Sequence, residues 1–357
     1  MKIAIFSPYL DTAGGGEKYM LSLAQVLSEK YSVDILLDEH LEEIGKDQIL
    51  NQNIKLHDLD LSKVNFKKAP IGKGSSFFSR LGFFKQYDYL FYLTDGSIFF
   101  ATAKNNIIHF QVPFEKTVTN NIWGQIKLKT WNKAIYNSKF TKNIIEENWP
   151  IKGSVVYPPV EISAFKPKKK KKQIISVGRF FSYSNPKKQD LMIDVFKQMV
   201  EDKKLDGWSF HLAGGADNGN KEFLEKLEGS AKGYEIFLYP NLAFEKLIDL
   251  YAESAIYWHA TGYGETDPKN FEHFGITTVE AMASGCIPVV IAKGGQTEIV
   301  EDKKSGFLWD DIVQWKEKTL ELVEDQKKMV KMSIQAIQRS KEFSFDKFKG
   351  NILKLTE

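Results

Sequence analysis

The feature that most constrains the fold of this chain is a repeated alternation of strand-like and helix-like segments. Lys2–Pro8 has the continuous apolar character of a buried strand, and Gly14–Gly16 predicts a loop. Glu17–Lys30 then carries apolar residues at helical spacing, and Ser32–Leu37 is strand-like again. A strand, a loop, a helix and a strand form a βαβ unit, and such units build parallel sheets with right-handed crossovers.

The same alternation continues along the chain. Further strands are predicted at 89–93, 106–109, 133–137 and 154–157, and after them at 173–177, 208–213, 234–238, 255–259 and 286–291. Helices are predicted at 190–200, 220–227, 244–252, 277–284 and 296–301, with a helical tail from residue 312. The pattern therefore predicts an α/β protein.

A run of basic residues, FKPKKKKK at Phe165–Lys172, separates the two alternations. We interpret it as a solvated linker, with a phosphate-facing or membrane-facing patch as the alternative. With 357 residues and about 150 per domain, two open α/β domains are expected, with a boundary at 160–172. Ligands of such sheets bind at the carboxyl ends of strands, so we expect a site in the cleft between the domains.

Composition excludes several classes of protein. Hydrophobic residues make up 43% of the chain and charged residues 27%, which is typical of a globular protein. A net charge of +3 does not indicate a nucleic-acid partner, and a single cysteine, Cys286, suits a reducing compartment. The apolar start is too short for a secretion signal, and no stretch reaches the length of a membrane span. We expect a cytoplasmic protein, with the membrane surface as a further option.

Two clusters predict phosphate binding. Gly14–Gly16 precede a helix, where backbone N–H groups and the helix dipole favour an anion, although a tight turn is the alternative. Arg179 follows a strand, and Lys187 and Lys188 come just before the next helix. An arginine and a lysine at one sheet edge can clamp a pyrophosphate, although two exposed basic side chains are common.

The stretch NFEHFGITTVEAMASG carries two glutamates, Glu272 and Glu280. A helix is expected to begin near Gly275, so the backbone N–H groups of 274–278 are predicted to be free donors. Glu272 precedes that helix and Glu280 lies about one turn inside it. A carboxylate accepts hydrogen bonds from two neighbouring hydroxyls, so Glu280 could hold a ribose and Glu272 a hexose. The alternative is one capping acid and one surface acid.

Taken together, these segments resemble the retaining glycosyltransferases of family 4, the glycosyl transferases group 1, which have the GT-B fold. The resemblance rests on EHFGITTVE, GGQTEIVEDKKSGFLW, NSKFTKNIIEENWPIKGSVVYPPVE, SVGRF with KKQDLMIDVF, and FSFDKF. It implies two Rossmann-like α/β domains that face each other across a deep cleft. They would be an N-terminal acceptor-side domain at 1–160 and a nucleotide-sugar domain at 173–340, with a C-terminal helix at 343–357 crossing back to the first.

The resemblance also implies roles for individual residues. The nucleotide and its phosphates would be bound by Gly15, Gly16, Arg179, Lys187, Thr277 and Glu280, with Glu280 on the ribose. The donor sugar would contact Glu272, His273, Phe274 and Gly275. His109 matches a histidine that touches the sugar near the transferred carbon, which makes His109 and Glu272 the candidate catalytic residues.

The sequence departs from the family pattern in two places. Many relatives carry an arginine where this chain has Lys18, and an insertion, FFSYSNPK, separates Arg179 from Lys187, so that Lys188 could serve instead. No cofactor or metal ion is implied, because cations and helix amides would stabilise the leaving nucleoside diphosphate. The acids of DLD at Asp58–Asp60 are spaced like a metal signature of a different glycosyltransferase fold, but we interpret them as solvated.

The implied reaction transfers a hexose with retention from GDP-mannose or a UDP-sugar to a glycan or lipid-linked acceptor. Front-face attack is favoured over a covalent intermediate on Glu272, because the sugar hydroxyls already engage that carboxylate. Two other functions stay open. One is a catalytically silent nucleotide-sugar-binding subunit, and the other is a GT-B epimerase or phosphorylase.

Residues 65–85, NFKKAPIGKGSSFFSRLGFFK, interleave basic and aromatic side chains. This pattern suits the inner face of an anionic cytoplasmic membrane, and a peripheral enzyme of polysaccharide or glycolipid biosynthesis would meet a lipid-linked acceptor there. The alternative is a surface loop whose phenylalanines pack on the domain core. No recognition motif supports binding to nucleic acid.

Overall fold

Two parallel β-sheets organise the chain, and each belongs to a different unit of it. The first unit consists of Met1–Pro159 together with Asp346–Glu357, and the second of Val160–Phe345. The structure, a computed structural model, describes residues 1–12, 14–49, 59–71, 75–115, 120–182 and 187–357.

The sheet of the first unit has the strand order β3-β2-β1-β4-β5-β6-β7 in the described residues, and all neighbours are parallel. Its strands are β1 Lys2–Phe6, β2 Ser32–Leu37, β3 Val64–Lys68, β4 Tyr89–Leu93, β5 Asn105–Phe110, β6 Lys133–Tyr136 and β7 Gly153–Val155. The helices are α1 Gly15–Ser28, α2 Glu39–Ile44, α3 Phe77–Phe84, α4 Ile122–Leu128 and α5 Lys139–Asn148, joined by α13 Phe345–Thr356 from the end of the chain.

The sheet of the second unit has the order β10-β9-β8-β11-β12-β13, again entirely parallel. Its strands are β8 Lys171–Val177, β9 Ser209–Gly214, β10 Ile236–Pro240, β11 Ser254–His259, β12 Ile287–Ile291 and β13 Phe307–Trp309. Its helices are α6 Gln189–Glu201, α7 Lys221–Ala231, α8 Phe244–Glu253, α9 Ile276–Ala283, α10 Gln296–Ile299, α11 Ile312–Glu324 and α12 Gln326–Ser340. Across the described ranges, no helix combines the length and apolar character needed to cross a membrane.

Each sheet has a central pair of strands that are distant in sequence, β1 beside β4 and β8 beside β11. Crossovers leave such a pair in opposite directions, so the loops at its carboxyl ends separate and open a crevice where ligands bind. In the second unit the crevice is bordered by Arg179, which follows β8, and by His259, the last residue of β11.

Each core combines aliphatic side chains with a group of packed aromatic rings. In the second unit Trp309 stacks on Trp315 with ring centroids 4.5 Å apart, and Trp315 meets Trp258 edge-on at 4.9 Å. The indole N–H of Trp258 donates to the hydroxyl of Thr319 at 3.1 Å, which gives this buried polar atom a partner. Every residue of β11 is buried, as the continuous apolar run of a central parallel strand requires.

The predicted strands agree with the structure to within a few residues, but two predicted loops are wrong. Gly15 and Gly16 lie inside α1, which begins one residue after Gly14 because the Glu17 carboxylate accepts the Gly14 N–H at 2.7 Å. Residues 65–85 are not a loop either. Their described part contains β3 and α3, and Phe84 is fully buried in the core.

The interpretation of the lysine run as a solvated linker is also wrong at its end. Lys171 and Lys172 begin β8, and Lys170 directs its ammonium inward. Lys170 Nζ donates to the carbonyls of Ser284 at 2.6 Å and of Tyr251 at 3.3 Å. Ser284 is the C-cap of α9, where a cation is favoured by the helix dipole.

Two neighbouring lysines can be compared by substitution, because Lys170 directs its ammonium inward and Lys169 is exposed. We expect Lys170→Ala to lower the free energy of unfolding by about 2 kcal/mol, because it removes charge-assisted hydrogen bonds to the carbonyls of two buried residues. Lys169→Ala, at an exposed position, should change it by less than about 0.5 kcal/mol. Urea denaturation of both variants measures the difference, and equal stabilities would contradict an anchoring role for Lys170.

Candidate functional site

The centre of the site in the second unit is the carboxylate of Glu272. Lys187 Nζ donates to Glu272 Oε2 at 2.8 Å, and His259 Nε2 donates to the same oxygen at 3.2 Å. The three residues come from the segment before α6, the end of β11 and the loop before α9. The structure thus brings together two predicted site residues, Lys187 and Glu272, and adds a histidine.

This cluster is largely withdrawn from solvent. The side chains of Lys187, His259 and Glu272 are 16%, 4% and 21% exposed. Burial alone would raise the pKa of Glu272, but Lys187 and His259 outweigh it and hold that pKa well below its usual range. The carboxylate is therefore ionised at neutral pH, and it can accept hydrogen bonds but not act as an acid.

His259 was not predicted to belong to the site; the sequence indicates only that it ends a strand. Burial lowers its pKa, so the ring is neutral at neutral pH, and its second nitrogen, Nδ1, has no hydrogen-bond partner among the described residues. Its position at the end of a predicted strand could have indicated a site residue. A polar residue at the carboxyl end of a buried parallel strand lies at the edge where ligands bind.

The start of α9 lies beside this cluster. Gly275 is its N-cap, with φ of +122°, a conformation that side chains strongly disfavour. The prediction of free amides at 274–278 is wrong for Thr278, whose N–H donates to the Gly275 carbonyl at 3.1 Å. The amides of Ile276 and Thr277 occupy the first helical positions, which lack an acceptor within the helix, and can donate to a ligand.

The Gly294-Gly295 turn fixes the loop that carries Glu272. The Gly295 N–H donates to the Glu272 carbonyl at 2.8 Å, and a Cβ on Gly294 would lie only 2.2 Å from that oxygen. Two glycines are thus required where the two backbones touch. This contact places the start of the segment GGQTEIV against the loop that carries Glu272.

Glu280, the second glutamate of the motif, is half-buried on α9. The hydroxyl of Tyr251 donates to Glu280 Oε2 at 3.2 Å, and that of Tyr257 lies 2.8 Å from Thr277 Oγ1. Burial, reinforced by Glu280, raises the pKa of Tyr251 well above its usual value, so it remains a donor. Neither tyrosine was predicted from the sequence, because Tyr251 is 29 residues from Glu280 and Tyr257 is 20 residues from Thr277, and only the fold brings them together.

Arg179 is exposed, and its guanidinium lies 5.0 Å from the centre of the Phe181 ring. Across the described residues no carboxylate pairs with it, so its charge is available to an anion. Lys187 reaches the cluster over Gly178, where a Cβ would come within 2.8 Å of the lysine Cγ. Lys188, the predicted substitute for Lys187, is instead paired with Glu265 at 2.6 Å.

The remaining predicted sugar contacts have structural partners. His273 Nε2 donates to the carbonyl of Lys269 at 3.1 Å. The ring of Phe274 is buried and packs edge-on against Phe343 at 5.6 Å. Phe274 can therefore offer a ligand only its backbone.

In the first unit, His109 is fully buried near the carboxyl end of β5. Its Nδ1 donates to the Ile135 carbonyl at 3.2 Å, and its Nε2 accepts from Gln111 Nε2 at 3.0 Å. Tyr19 stacks on the ring with centroids 4.0 Å apart. Burial lowers the pKa of His109 to about 3. Both ring nitrogens are engaged, so a ligand reaches His109 only if Gln111 moves.

Gly16 faces the same end of the first sheet. A Cβ there would lie 3.2 Å from Gln111 Oε1 and from the side chain of Leu93, so the glycine permits close approach of α1 to β4 and β5. Glu17 is buried beneath the turn, and burial raises its pKa. Gly15 and Gly16 as phosphate ligands stay a prediction. The acids of DLD at Asp58–Asp60, interpreted as solvated, lie partly outside the described residues, because Asp58 is not described.

A family model described as Glycosyl transferases group 1 matches residues 160–339, which is half of the chain. The matched range includes Arg179, Lys187, His259, Glu272 and Glu280.

Two proteins of Dictyostelium discoideum are similar in sequence. The chain is 23% identical to the GDP-Man:Man(3)GlcNAc(2)-PP-Dol alpha-1,2-mannosyltransferase, over 99% of this chain and 84% of that protein. It is 28% identical to the Alpha-1,3/1,6-mannosyltransferase ALG2, over 62% of this chain and 60% of that protein.

Solved structures are similar over the whole chain. A glycosyltransferase from Rickettsia africae ESF-5 gives a TM-score of 0.73 at 14% identity, covering 99% of this chain and 97% of that one. Anabaena Alr3699/HepE in complex with UDP gives 0.71 at 16% identity, covering 100% and 99%. With the two parallel sheets, these matches confirm the predicted GT-B class of two Rossmann-like α/β domains.

The burial of neutral His109 predicts a pH-dependent stability. The unfolded chain binds a proton at this histidine below about pH 6.5, whereas the folded protein does so only near pH 3. Stability is therefore lost as the pH falls, by about 1.4 kcal/mol between pH 7.5 and 5.5. Urea denaturation at pH 7.5 and at pH 5.5 measures this loss of stability. In His109→Phe the loss between the two pH values should be smaller than in the wild type by about 1.4 kcal/mol.

The control for this experiment is His40→Gln, because His40 has an exposed side chain beside Asp11. This variant should keep the pH dependence of the wild type. An unchanged dependence in His109→Phe would contradict the burial of a neutral imidazole.

Proposed function

Because the chain belongs to the glycosyl transferases group 1 family, we propose that it transfers a hexose from a nucleotide diphosphate sugar to a glycan or lipid-linked acceptor. GDP-mannose is the first candidate donor, because two similar proteins are named mannosyltransferases and one name includes GDP-Man. A UDP-sugar is the second, since a solved structure of the same fold holds UDP. The chain is an enzyme of the hexosyltransferase class.

The observation that carries this proposal is the ionised carboxylate of Glu272 at the switch point of the second sheet. Lys187 and His259 both contact Oε2, and Oε1 has no partner among the described residues. An anchored carboxylate with one free oxygen is suited to accept hydrogen bonds from sugar hydroxyls. We assign the donor hexose to this oxygen.

The leaving diphosphate would lie between Arg179, Lys187 and the first amides of α9. Arg179 has no carboxylate partner in the described chain, and Lys187 has three donors, of which Glu272 engages one. Cations and helix amides stabilise negative charge that develops on a leaving phosphate. We propose that these groups serve without a metal ion. Retention by front-face attack fits an arrangement in which Glu272 contacts hydroxyls rather than the reacting carbon.

Glu280 is assigned to the ribose. Tyr251 anchors its Oε2, as Lys187 and His259 anchor Glu272, and the neighbouring Thr277 begins the helix that faces the phosphates. A carboxylate on the first turns of a helix can accept both ribose hydroxyls while the amides bind the diphosphate. His109 could contact the sugar only after Gln111 leaves Nε2, and this contact stays a prediction.

The alternative functions are not favoured. The similar proteins are named transferases, which favours an enzyme over a silent binding subunit. No contact in the described residues supports an epimerase or a phosphorylase.

We propose further that the first unit contacts an anionic membrane surface, where a lipid-linked acceptor resides. Phe77 and Phe78 on α3 are 47% and 79% exposed, and Ile122 and Trp123 on α4 are 62% and 64% exposed. Residues 62–87 contain six Lys or Arg and no acid. Exposed aromatic side chains among basic residues suit the interface of an anionic bilayer. Of the predicted segment 65–85, Phe83 and Phe84 pack in the core instead.

The two helices are linked by contacts within the first unit. The ring of Phe77 packs edge-on against Phe100 at 5.6 Å. The N–H of Ala101 donates to the Thr130 hydroxyl at 3.0 Å, and that hydroxyl donates to the Lys127 carbonyl of α4 at 2.7 Å. We therefore treat the exposed side chains of α3 and α4 as one surface.

The two glutamates should separate nucleotide affinity from turnover. We expect Glu280→Ala to weaken binding of GDP or UDP by about tenfold to a hundredfold, since hydrogen bonds to a charged group are worth about 1.5–3 kcal/mol. Glu272→Gln should lower kcat by a similar factor while leaving nucleotide affinity within about threefold. Calorimetry and a GDP-mannose transfer or hydrolysis assay measure these effects.

Glu324→Gln is the control for both measurements, because Glu324 is an exposed acid of the same unit. It should behave as the wild type. Unchanged nucleotide affinity in Glu280→Ala, or failure of the wild type to bind either nucleotide, would overturn the donor-site assignment.

Membrane contact is tested by sedimentation with vesicles that contain about one third anionic lipid. The variant Phe77→Ser/Phe78→Ser/Trp123→Ser should lower the bound fraction by about tenfold, because each apolar side chain contributes through burial at the interface. The matched control is Val313→Ser/Val330→Ser/Ile334→Ser, which removes three exposed apolar side chains from the second unit. Equal effects of the two variants would contradict the assigned surface.

A further inference from the structure

His259 is a buried histidine whose position suggests a task in the reaction. It ends β11 at the switch point, and its side chain is 4% exposed. Its Nε2 meets Glu272 Oε2 at 3.2 Å, while Nδ1 is buried with no partner in the described chain. Because Nδ1 has no partner, the bond from Nε2 to Glu272 is the one hydrogen bond that orients the ring among the described residues.

We propose that His259 is a positioning residue for the donor sugar, which fixes the Glu272 carboxylate so that its free oxygen faces the sugar. This inference rests on the proposed function, because it assigns the hexose to Glu272. His259 does not touch the substrate. It acts through the carboxylate alone.

The need for a second anchor follows from the other partner of Glu272. Lys187 is the only cation paired with this carboxylate in the described residues, and the incoming diphosphate attracts the same ammonium. When the lysine shares its charge with phosphate oxygens, its hold on Glu272 weakens. A neutral imidazole donor has no attraction of this kind to phosphate and keeps the carboxylate in place.

The backbone supports this geometry from both sides. His259 is paired with Val290 in the sheet, and Glu272 is held through its carbonyl by the Gly295 N–H at 2.8 Å. Both side chains therefore start from fixed main-chain positions. Supporting residues of this kind set the orientation of a group that contacts substrate, and their loss affects rate more than ground-state binding.

Three titratable groups surround the carboxylate of Glu272, namely Lys187 on the segment before α6 and His259 and Tyr257 on β11. Tyr257 is also influenced by the charge of Glu280. Burial raises the pKa of Tyr257, so it stays protonated through the acid range. Loss of the imidazole donor leaves Lys187 as the one remaining side-chain donor to the carboxylate among the described residues. The pKa of Glu272 then rises, and protonation of the carboxylate begins at higher pH.

The test compares His259→Phe, which keeps a ring but removes the donor, with His259→Gln, which restores an N–H donor. His259→Phe should lower kcat for GDP-mannose, or for the UDP-sugar that the wild type uses, by about tenfold to a hundredfold. The affinity for free nucleotide should stay within about twofold. The acid limb of the rate profile should move to higher pH, and His259→Gln should recover most of the lost rate.

Two outcomes would overturn the proposal. One is a wild-type kcat in His259→Phe alongside a strongly reduced kcat in Glu272→Gln. The other is an equal loss of kcat and nucleotide affinity in both His259 variants, which indicates a purely structural role. If the wild type binds no nucleotide, or if Glu272→Gln keeps full activity, the proposed function fails instead.

Discussion

The second unit depends on one constraint, the reversal of strand order between β8 and β11. Because connections leave these two parallel strands in opposite directions, the carboxyl edge between them is not covered by a crossover. Arg179 and His259 stand at that edge because they follow or end the two central strands. Charged groups can be buried there only if they are paired, and Lys187, His259 and Glu272 satisfy this requirement among themselves.

The two glutamates of the motif, Glu272 and Glu280, are held by the protein in the same way. Each carboxylate is anchored through Oε2, Glu272 by a lysine and a histidine and Glu280 by the hydroxyl of Tyr251. A carboxylate held in this way loses little conformational freedom when it accepts hydroxyls from a ligand, so less of the binding energy is spent on ordering side chains. The start of α9, which lies between the two glutamates in the sequence, supplies backbone amides of fixed direction.

Much of the fold was predictable from the sequence, because buried parallel strands are continuous apolar runs, such as IISV before Gly178. The glutamates, Arg179 and Lys187 were also found, since they lie near strand ends or a helix start. His259 was not, because its partner Glu272 is 13 residues away and Lys187, the other partner of Glu272, is 85 residues from that glutamate, so only the folded sheet brings the three together. The inward direction of Lys170 and the burial of His109 likewise follow from tertiary contacts that local composition does not contain.

The central claim is that the donor nucleotide sugar lies along the carboxyl edge of the second sheet. A structure of the protein in complex with GDP-mannose, or with the nucleotide that binds most tightly, tests this directly. The account predicts ribose hydroxyls within hydrogen-bonding distance of Glu280, diphosphate oxygens at Arg179 and Lys187, and a sugar hydroxyl at Glu272 Oε1. A nucleotide bound elsewhere, with Glu280 and Glu272 contacting only their protein partners, would contradict it.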